Sequence, residues 1–157
     1  MVGKPAARAG DMTAHGSILK PSPGSSNVLI GGKPAWRGLG PAGAAQLAQE
    51  SAKIMKSVAQ FTTAINTNNG LGAAKALKKM QEGISNALKI MAAVDQNFCE
   101  ILLVPPVPPP HGNGVVITGS NTVLINGLPA CRQGDMIQET VSVNSIAGGC
   151  SSVLIGG

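Results

Sequence analysis

Three short apolar runs mark the outer parts of this 157-residue chain. They are Val28-Leu-Ile30, Val123-Leu-Ile125 and Val153-Leu-Ile155, and each follows a turn signal of the Gly-Ser type. Alternation along such a run places the valine and the isoleucine on one face of a short strand and the leucine on the other. Since both faces are apolar, we expect one face to be buried in the protein and the other to be covered by a neighbour or a partner.

A second phrase also occurs three times. Gly3-Lys-Pro-Ala-Ala-Arg8 returns as Gly32-Lys-Pro-Ala-Trp-Arg37 and as Gly127-Leu-Pro-Ala-Cys-Arg132. A unit written three times predicts three similar pieces of backbone packed about a common axis. The sequence therefore predicts short strands, joined by tight turns, in a pseudo-threefold arrangement.

The region between the second and third phrases follows a helical period instead. In a first helix the stripe comprises Ala44, Ala48, Ser51, Met55, Val58, Thr62 and Ile65, with Leu47, Ile54 and Phe61 beside it. In a second helix it comprises Ala73, Leu77, Met80, Ile84, Ala87, Met91 and Val94. The turn signal Thr67-Asn-Asn-Gly70 separates them, which predicts an α-helical hairpin whose stripes face each other. A membrane-active or partner-binding helix pair is the alternative.

The spacing of the phrases indicates that this hairpin is an insertion. Gly3 and Gly32 are 29 residues apart (32 − 3), whereas Gly32 and Gly127 are 95 apart (127 − 32). The extra residues begin where the second phrase, unlike the other two, is not followed by Gly-Asp. We therefore divide the chain into a first strand region at 1–40, a helical insertion at 41–97 and a second strand region at 98–157.

Composition narrows the class of protein. Trp36, Phe61 and Phe98 are the only aromatic residues, so a large conventional core is not expected. The net charge is +5, but the basic residues are scattered and form no stripe, which argues against nucleic-acid binding. No signal peptide and no apolar stretch of about 18 residues is recognisable. We expect folding in a reducing cytosol, where cysteines are buried thiols or metal ligands.

These motifs resemble PAAR-repeat proteins. The resemblance rests on Gly3-Lys-Pro-Ala-Ala-Arg-Ala-Gly-Asp11, on Asp11-Met-Thr-Ala-His-Gly16 and on the Gly-Ser-x-x-Val-Leu-Ile pattern, and it covers the chain outside the helices. It implies a mainly β fold, a small pseudo-threefold cone with the helical hairpin as an addition. It also implies a structural role: capping the homotrimeric VgrG-like spike of a type VI secretion system or related contractile injection machine, one copy per trimer. Such a protein is assembled in the bacterial cytoplasm, is then extruded with the apparatus and contacts the target membrane only on puncture.

Four residues are candidate metal ligands: His15, Cys99, His111 and Cys150. His15 and His111 lie 13 and 12 residues before the strand valine of their repeats (28 − 15 and 123 − 111). At about the same distance before Val153 the third repeat has Glu139 or Thr140 (153 − 139 = 14 and 153 − 140 = 13), so a further ligand has to come from elsewhere. From the residues alone, a shared metal site and an ordinary set of surface histidines and buried cysteines both remain open. The resemblance implies a zinc ion held by His and Cys near the tip. Cys131, at a variable repeat position, is interpreted as a buried small apolar residue.

Two other functions are considered. A zinc hydrolase needs an open coordination position and a general base, for which Glu100 or Glu139 is available. All four candidate ligands are needed to close the site, and no hydrolase motif is present, so an enzyme is not expected. The other alternative is an adaptor whose helical insert, 41–97, recruits an effector, a chaperone or a membrane.

Overall fold

The computed structural model describes residues 2–20, 23–102, 110–140 and 142–157. Its strands are β1 (Lys4–Ala6), β2 (Leu29–Ile30), β3 (Lys33–Pro34), β4 (Gln96–Leu102), β5 (Pro110–Val116), β6 (Leu124–Ile125), β7 (Leu128–Pro129), β8 (Met136–Glu139), β9 (Val143–Ser145) and β10 (Cys150–Ile155). Its helices are α1 (Pro41–Asn66) and α2 (Gly70–Met91). Small antiparallel sheets with one helical hairpin confirm the predicted mainly β class with a helical addition.

Backbone hydrogen bonds close into rings of three across the repeats. The Ala7 amide donates to the Cys131 carbonyl at 2.9 Å, the Cys131 amide to Trp36 at 3.0 Å, and the Trp36 amide back to Ala7 at 3.0 Å. A second ring runs from Ala9 to Pro34, from Gly38 to Pro129 and from Gln133 to Pro5, at 2.9, 2.9 and 2.8 Å. Three head-to-tail contacts that return to their start are the signature of a closed threefold arrangement. The predicted pseudo-threefold packing is thus visible in the hydrogen bonds.

The three apolar runs take equivalent places in this arrangement. β2 and β6 each turn back onto the following strand, β3 and β7, through two residues with positive φ. Asn126 and Gly127 make one of these turns, with φ of 52° and 78°, which suits the twist of a two-residue hairpin. The third run lies in β10 and pairs with β1, so these two strands complete the third unit.

Burial follows the predicted alternation for the isoleucines and leucines, whereas the valines predicted to share the isoleucine face are less buried, with Val123 and Val153 each 37 per cent exposed. Ile30, Ile125 and Ile155 are buried in one cluster together with the repeat alanines Ala6, Ala35 and Ala130. The leucine beside each isoleucine is exposed instead. A second cluster, around Trp36, Leu19 and Ile137, also contains Cys131, which is buried as predicted. The alternation therefore leaves a set of three equivalent leucines on the surface.

The helical hairpin packs on the strand region at its base. Leu39, Leu47, Met91 and Val115 share one buried cluster, which joins the hairpin to β5. Asn69 caps α2 by accepting the Gly72 amide at 2.8 Å. None of the helices in the described residues has the length and apolar character needed to cross a bilayer.

The face that α1 turns towards α2 differs from the predicted stripe. Its buried residues are Leu47, Ile54, Ser57 and Ala64, whereas Met55 and Ile65 of the predicted stripe are exposed. The reason is the close contact between the two helices at Gly83 of α2, where an added Cβ would lie only 2.8 Å from Cγ1 of Ile54. Since Gly83 lets the two backbones approach on the Ile54 side, the stripe centred on Met55 is rotated outwards. For α2 the prediction is better, because Ala73, Ala87 and Met91 are buried.

Candidate metal centre

An arginine–aspartate pair orders the turn after each repeat phrase. Arg8 pairs with Asp11 and Arg132 with Asp135, three residues apart, with guanidinium–carboxylate distances of 2.9 and 3.0 Å. In each pair the same carboxylate also accepts the backbone amide of its arginine, at 2.9 and 2.8 Å. The charge-assisted contact fixes the start of the segment that follows.

The second repeat makes the same pair across the insertion. Arg37 contacts Asp95 at 2.9 Å through its guanidinium and at 2.9 Å through its backbone amide, although 58 residues separate them. This hydrogen bond to Asp95, opposed by desolvation, raises the pKa of Arg37, just as the bond to Asp11 raises the pKa of Arg8. Asp95 therefore supplies the aspartate that the second phrase lacks in the sequence, and the hairpin lies between the two members of one pair.

Counting from these aspartates locates three donors. The fourth residue after Asp11 is His15, the fourth after Asp95 is Cys99 and the fourth after Asp135 is Glu139 (11 + 4, 95 + 4, 135 + 4). Because the three repeats surround one axis, their equivalent side chains meet there. His111 joins them from β5, next to Gly112, which is opposite Cys99 in the β4–β5 register.

The four donor atoms lie close to one another. His15 Nδ1 is 3.2 Å from His111 Nδ1, and Cys99 Sγ is 3.7 and 3.8 Å from these two nitrogens. Glu139 Oε2 is 3.4 Å from His15 Nδ1 and 3.0 Å from His111 Nδ1. Within the described ranges, this is the group of His, Cys and carboxylate side chains that could hold an ion, with all its donor atoms within 4.8 Å of one another.

These separations fit a tetrahedral ion. With bonds of about 2.0–2.1 Å to nitrogen or oxygen and 2.3 Å to sulfur, a tetrahedron has N–N and N–O edges of about 3.3 Å and N–S edges of about 3.6 Å. The observed N–N and N–O distances scatter around the first value and the S–N distances lie just above the second. Two imidazoles, a thiol and a carboxylate are a donor set of the kind that zinc accepts. The residues present therefore fit a four-coordinate metal.

A further layer of polar groups holds Glu139 in place. Its side chain is fully buried. Asn144 donates from Nδ2 to Oε1 at 2.8 Å, and the Ser142 hydroxyl donates to Oε2. The Asn144 side-chain oxygen in turn accepts the backbone amide of His15 at 3.1 Å. Asn144 thus links two of the four donors, as outer-layer groups do in metal sites.

Cys150, the remaining predicted ligand, lies elsewhere. It begins β10, where it pairs with Ala6 of β1, and its sulfur is 3.2 Å from the Ser152 hydroxyl. Cys150 occupies the repeat position at which the other two repeats have the turn serines Ser25 and Ser120. The structure therefore brings together His15, Cys99 and His111 of the predicted set, with Glu139 in the fourth position and Cys150 outside the group.

The three cysteines should react differently with an alkylating agent. The hydrogen bond from Ser152 lowers the pKa of Cys150, although desolvation opposes it. Burial raises the pKa of Cys131 far above the ordinary thiol value. Since the thiolate is the nucleophile, iodoacetamide near pH 8 should modify Cys150 first, and Cys99, which is fully buried, should react more slowly. Peptide mapping by mass spectrometry measures the order, and modification of Cys131 before Cys150 would contradict it.

Comparison with known proteins agrees with the repeat pattern. The family model described as the PAAR motif matches residues 108–157, which include His111, Glu139 and the last two apolar runs. A search of curated proteins and a search of solved structures found no match. The matched segment contains the whole third repeat phrase, and the rings of hydrogen bonds relate that phrase to the two others. Residues 108–157 therefore match the PAAR motif, and the chain carries a helical hairpin within the second of its three repeats.

Proposed function

We propose that this protein is the tip of a contractile injection machine, where one copy caps a homotrimeric spike of the VgrG type. The observation that carries the proposal is the set of three exposed leucines Leu29, Leu124 and Leu154. These residues have nearly equal exposed fractions, 62, 59 and 57 per cent, although they come from three distant parts of the chain. We call these three residues the leucine triad.

The leucine triad suits a threefold partner. Each leucine stands beside a buried isoleucine of the same strand, so the strand holds its side chain in a defined direction. A single chain with three equivalent contacts can meet three identical subunits through nearly the same surface. The role is mechanical, with the assembled spike built in the bacterial cytoplasm and then extruded.

We further propose that the metal centre holds zinc and acts structurally. Four protein donors complete a tetrahedron, whereas a catalytic zinc keeps one position open for water or substrate. The centre joins donors from all three repeats in a chain with three aromatic residues, so the ion would replace part of a missing core. The closed donor set favours this role over that of a zinc hydrolase.

Complex formation with a trimeric spike tests the proposed function. The protein is mixed with the purified VgrG-type trimer that is encoded beside it. The mass of the complex is determined by native mass spectrometry, and zinc is measured in the same sample. We expect a mass equal to one trimer plus one chain and about one zinc per chain. The absence of a complex with the co-encoded spike at micromolar concentration would contradict the proposal.

The adaptor role of the insert is the second candidate function, and the observation favouring it is that the hairpin lies outside both rings of hydrogen bonds that join the repeats. The Arg37–Asp95 pair shows where the hairpin can be removed. Deleting residues 40–94 and replacing Leu39 with glycine leaves Arg-Gly-Gly-Asp, with the same spacing as Arg8 to Asp11. We expect this variant to fold, to keep its metal and to bind the spike, since both hydrogen-bonded rings lie outside the deleted segment.

Circular dichroism, metal analysis and spike binding measure this outcome. The deletion uncovers Val115, which is otherwise fully buried, so a Val115→Thr version serves as a more soluble companion. Retained spike binding with loss of cargo delivery would support the adaptor role. Failure of both versions to fold would instead make the hairpin part of the structural core.

A further inference from the structure

The helical hairpin carries most of the net charge of the chain. α1 and α2 contain six lysines and two glutamates, so they contribute +4 (6 − 2) of the total +5. In the strand region the basic residues are nearly balanced by acidic ones, and three arginines are paired with aspartates. The hairpin is therefore a basic addition to a nearly neutral fold.

One side of the hairpin is apolar and carries no charge. Helical spacing and the contact between Ile54 and Gly83 place six residues on this side, which we call the apolar side: Met55, Val58, Ile65, Leu77, Ile84 and Leu88. Val58 and Ile84 are half-buried between the helices, whereas Met55 and Leu77 are 54 and 42 per cent exposed. The positions between them hold small or uncharged residues such as Ala48, Thr62 and Gln81.

The opposite side of the hairpin is polar and basic. The groove between the helices there is lined by Lys53, Lys56 and Lys79, with Glu50 and Glu82 among them. Towards the Thr67–Gly70 turn it continues along Lys75 and Gln60. Two further lysines, Lys78 and Lys89, are exposed on the outer surface of α2. A basic helix pair with one uncharged apolar side has the pattern of helices that lie in a membrane interface.

We propose that the apolar side of the hairpin lies on an anionic lipid surface, with both helices parallel to the membrane. Charge complementarity favours this occupant. A bilayer rich in anionic lipids has a negatively charged headgroup layer, which attracts the lysines, and beneath it an apolar interior, which accommodates the apolar side. A second copy of the chain would instead bring two hairpins of charge +4 together. A protein partner normally adds hydrogen bonds around an apolar centre, and the apolar side offers few polar groups for them.

This inference goes beyond the proposed spike tip and can be tested without the spike. The full-length protein is sedimented with vesicles of phosphatidylglycerol and phosphatidylcholine in equal amounts, and with vesicles of phosphatidylcholine alone. We expect binding to the anionic vesicles and at least tenfold weaker binding to the neutral ones. Since one basic residue near such a surface contributes about fivefold, Lys78→Gln/Lys89→Gln should weaken binding by about fivefold to 25-fold, and added salt should act in the same direction.

Two double variants with matched exposure locate the surface. Met55→Gln/Leu77→Gln changes the apolar side, at 54 and 42 per cent exposure, and should reduce binding at least fivefold. Met12→Gln/Met136→Gln changes the strand region, at 55 and 43 per cent exposure, and should leave binding unchanged. Thermal unfolding of each variant shows that it remains folded.

Three results would overturn the proposal. The first is the absence of binding to the anionic vesicles at low salt. The second is an equal effect of the two double variants, which would place the contact outside the apolar side. The third is a concentration-dependent dimer that Met55→Gln/Leu77→Gln abolishes, which would assign the surface to a second copy. None of these three measurements involves the spike. A failure of the protein to bind the spike would therefore bear on the proposed tip function alone.

Discussion

Replacing Glu139 by glutamine should largely empty the metal centre. The amide keeps the size of the side chain and can still accept the hydrogen bond from Asn144, but it loses the negative charge that faces the two histidine donors. We expect less than about a tenth of an equivalent of zinc in the purified variant, compared with about one in the parent protein. With part of the metal's contribution to folding lost, the melting temperature should fall by on the order of 10 °C.

Cys150→Ser is the matched control for this experiment. It places at position 150 the residue that the equivalent turns of the other two repeats already have, in Ser25 and Ser120. Because Cys150 lies outside the group of four donors, its variant should keep the full metal content and lose little stability. Zinc content by atomic emission and thermal unfolding give both readouts. Loss of zinc in Cys150→Ser with zinc retained in Glu139→Gln would show that the sequence-based ligand set, and not the geometric one, is right.

The sequence reveals the fourth donor, Glu139, only when equivalent positions are counted from the correct reference residue. Counting backwards from the strand valine aligns His15 with His111 and leaves the third repeat without a clear partner. Counting forwards from Gly-Asp aligns His15 with Glu139, and this signal is present in the chain. Cys99 is different, since its equivalence depends on Asp95 pairing with Arg37 across 58 residues, and only the folded structure reveals that pair.

The helices illustrate a second limit of pattern reading. Their existence, the turn between them and their antiparallel pairing follow from periodicity and from the Asn-Gly signal. The face of α1 that packs inwards does not follow, because its apolar arc is wide enough to include both Ile54 and Met55. The choice between these two residues depends on Gly83 of the other helix, whose missing side chain permits close contact on the Ile54 side. The outward face of α1 is therefore determined by packing against α2, which the periodicity of the α1 sequence does not encode.

Aspartate at each position of the leucine triad should weaken spike binding by a similar factor. The three leucines have nearly equal exposure and the same relation to a buried isoleucine, so each should make the same contact with its own subunit. A hot-spot residue at the centre of an interface typically costs about 2–4 kcal/mol when it is lost, or roughly 30- to 1,000-fold in affinity. The separate variants Leu29→Asp, Leu124→Asp and Leu154→Asp should fall within this range, and the triple variant should abolish detectable binding.

The equality of the three effects is the decisive feature of this prediction. An interface that used only one edge of the protein would make one leucine critical and leave the other two replaceable. Titration of each variant against the spike trimer by calorimetry separates these cases, with Met12→Asp as a control of similar exposure outside the triad. All four positions are exposed, so the variants should fold with unchanged metal content. Three comparable losses would mean that the internal repeat exists to match a threefold partner, whereas one loss among three would leave the repeat with a purely architectural role.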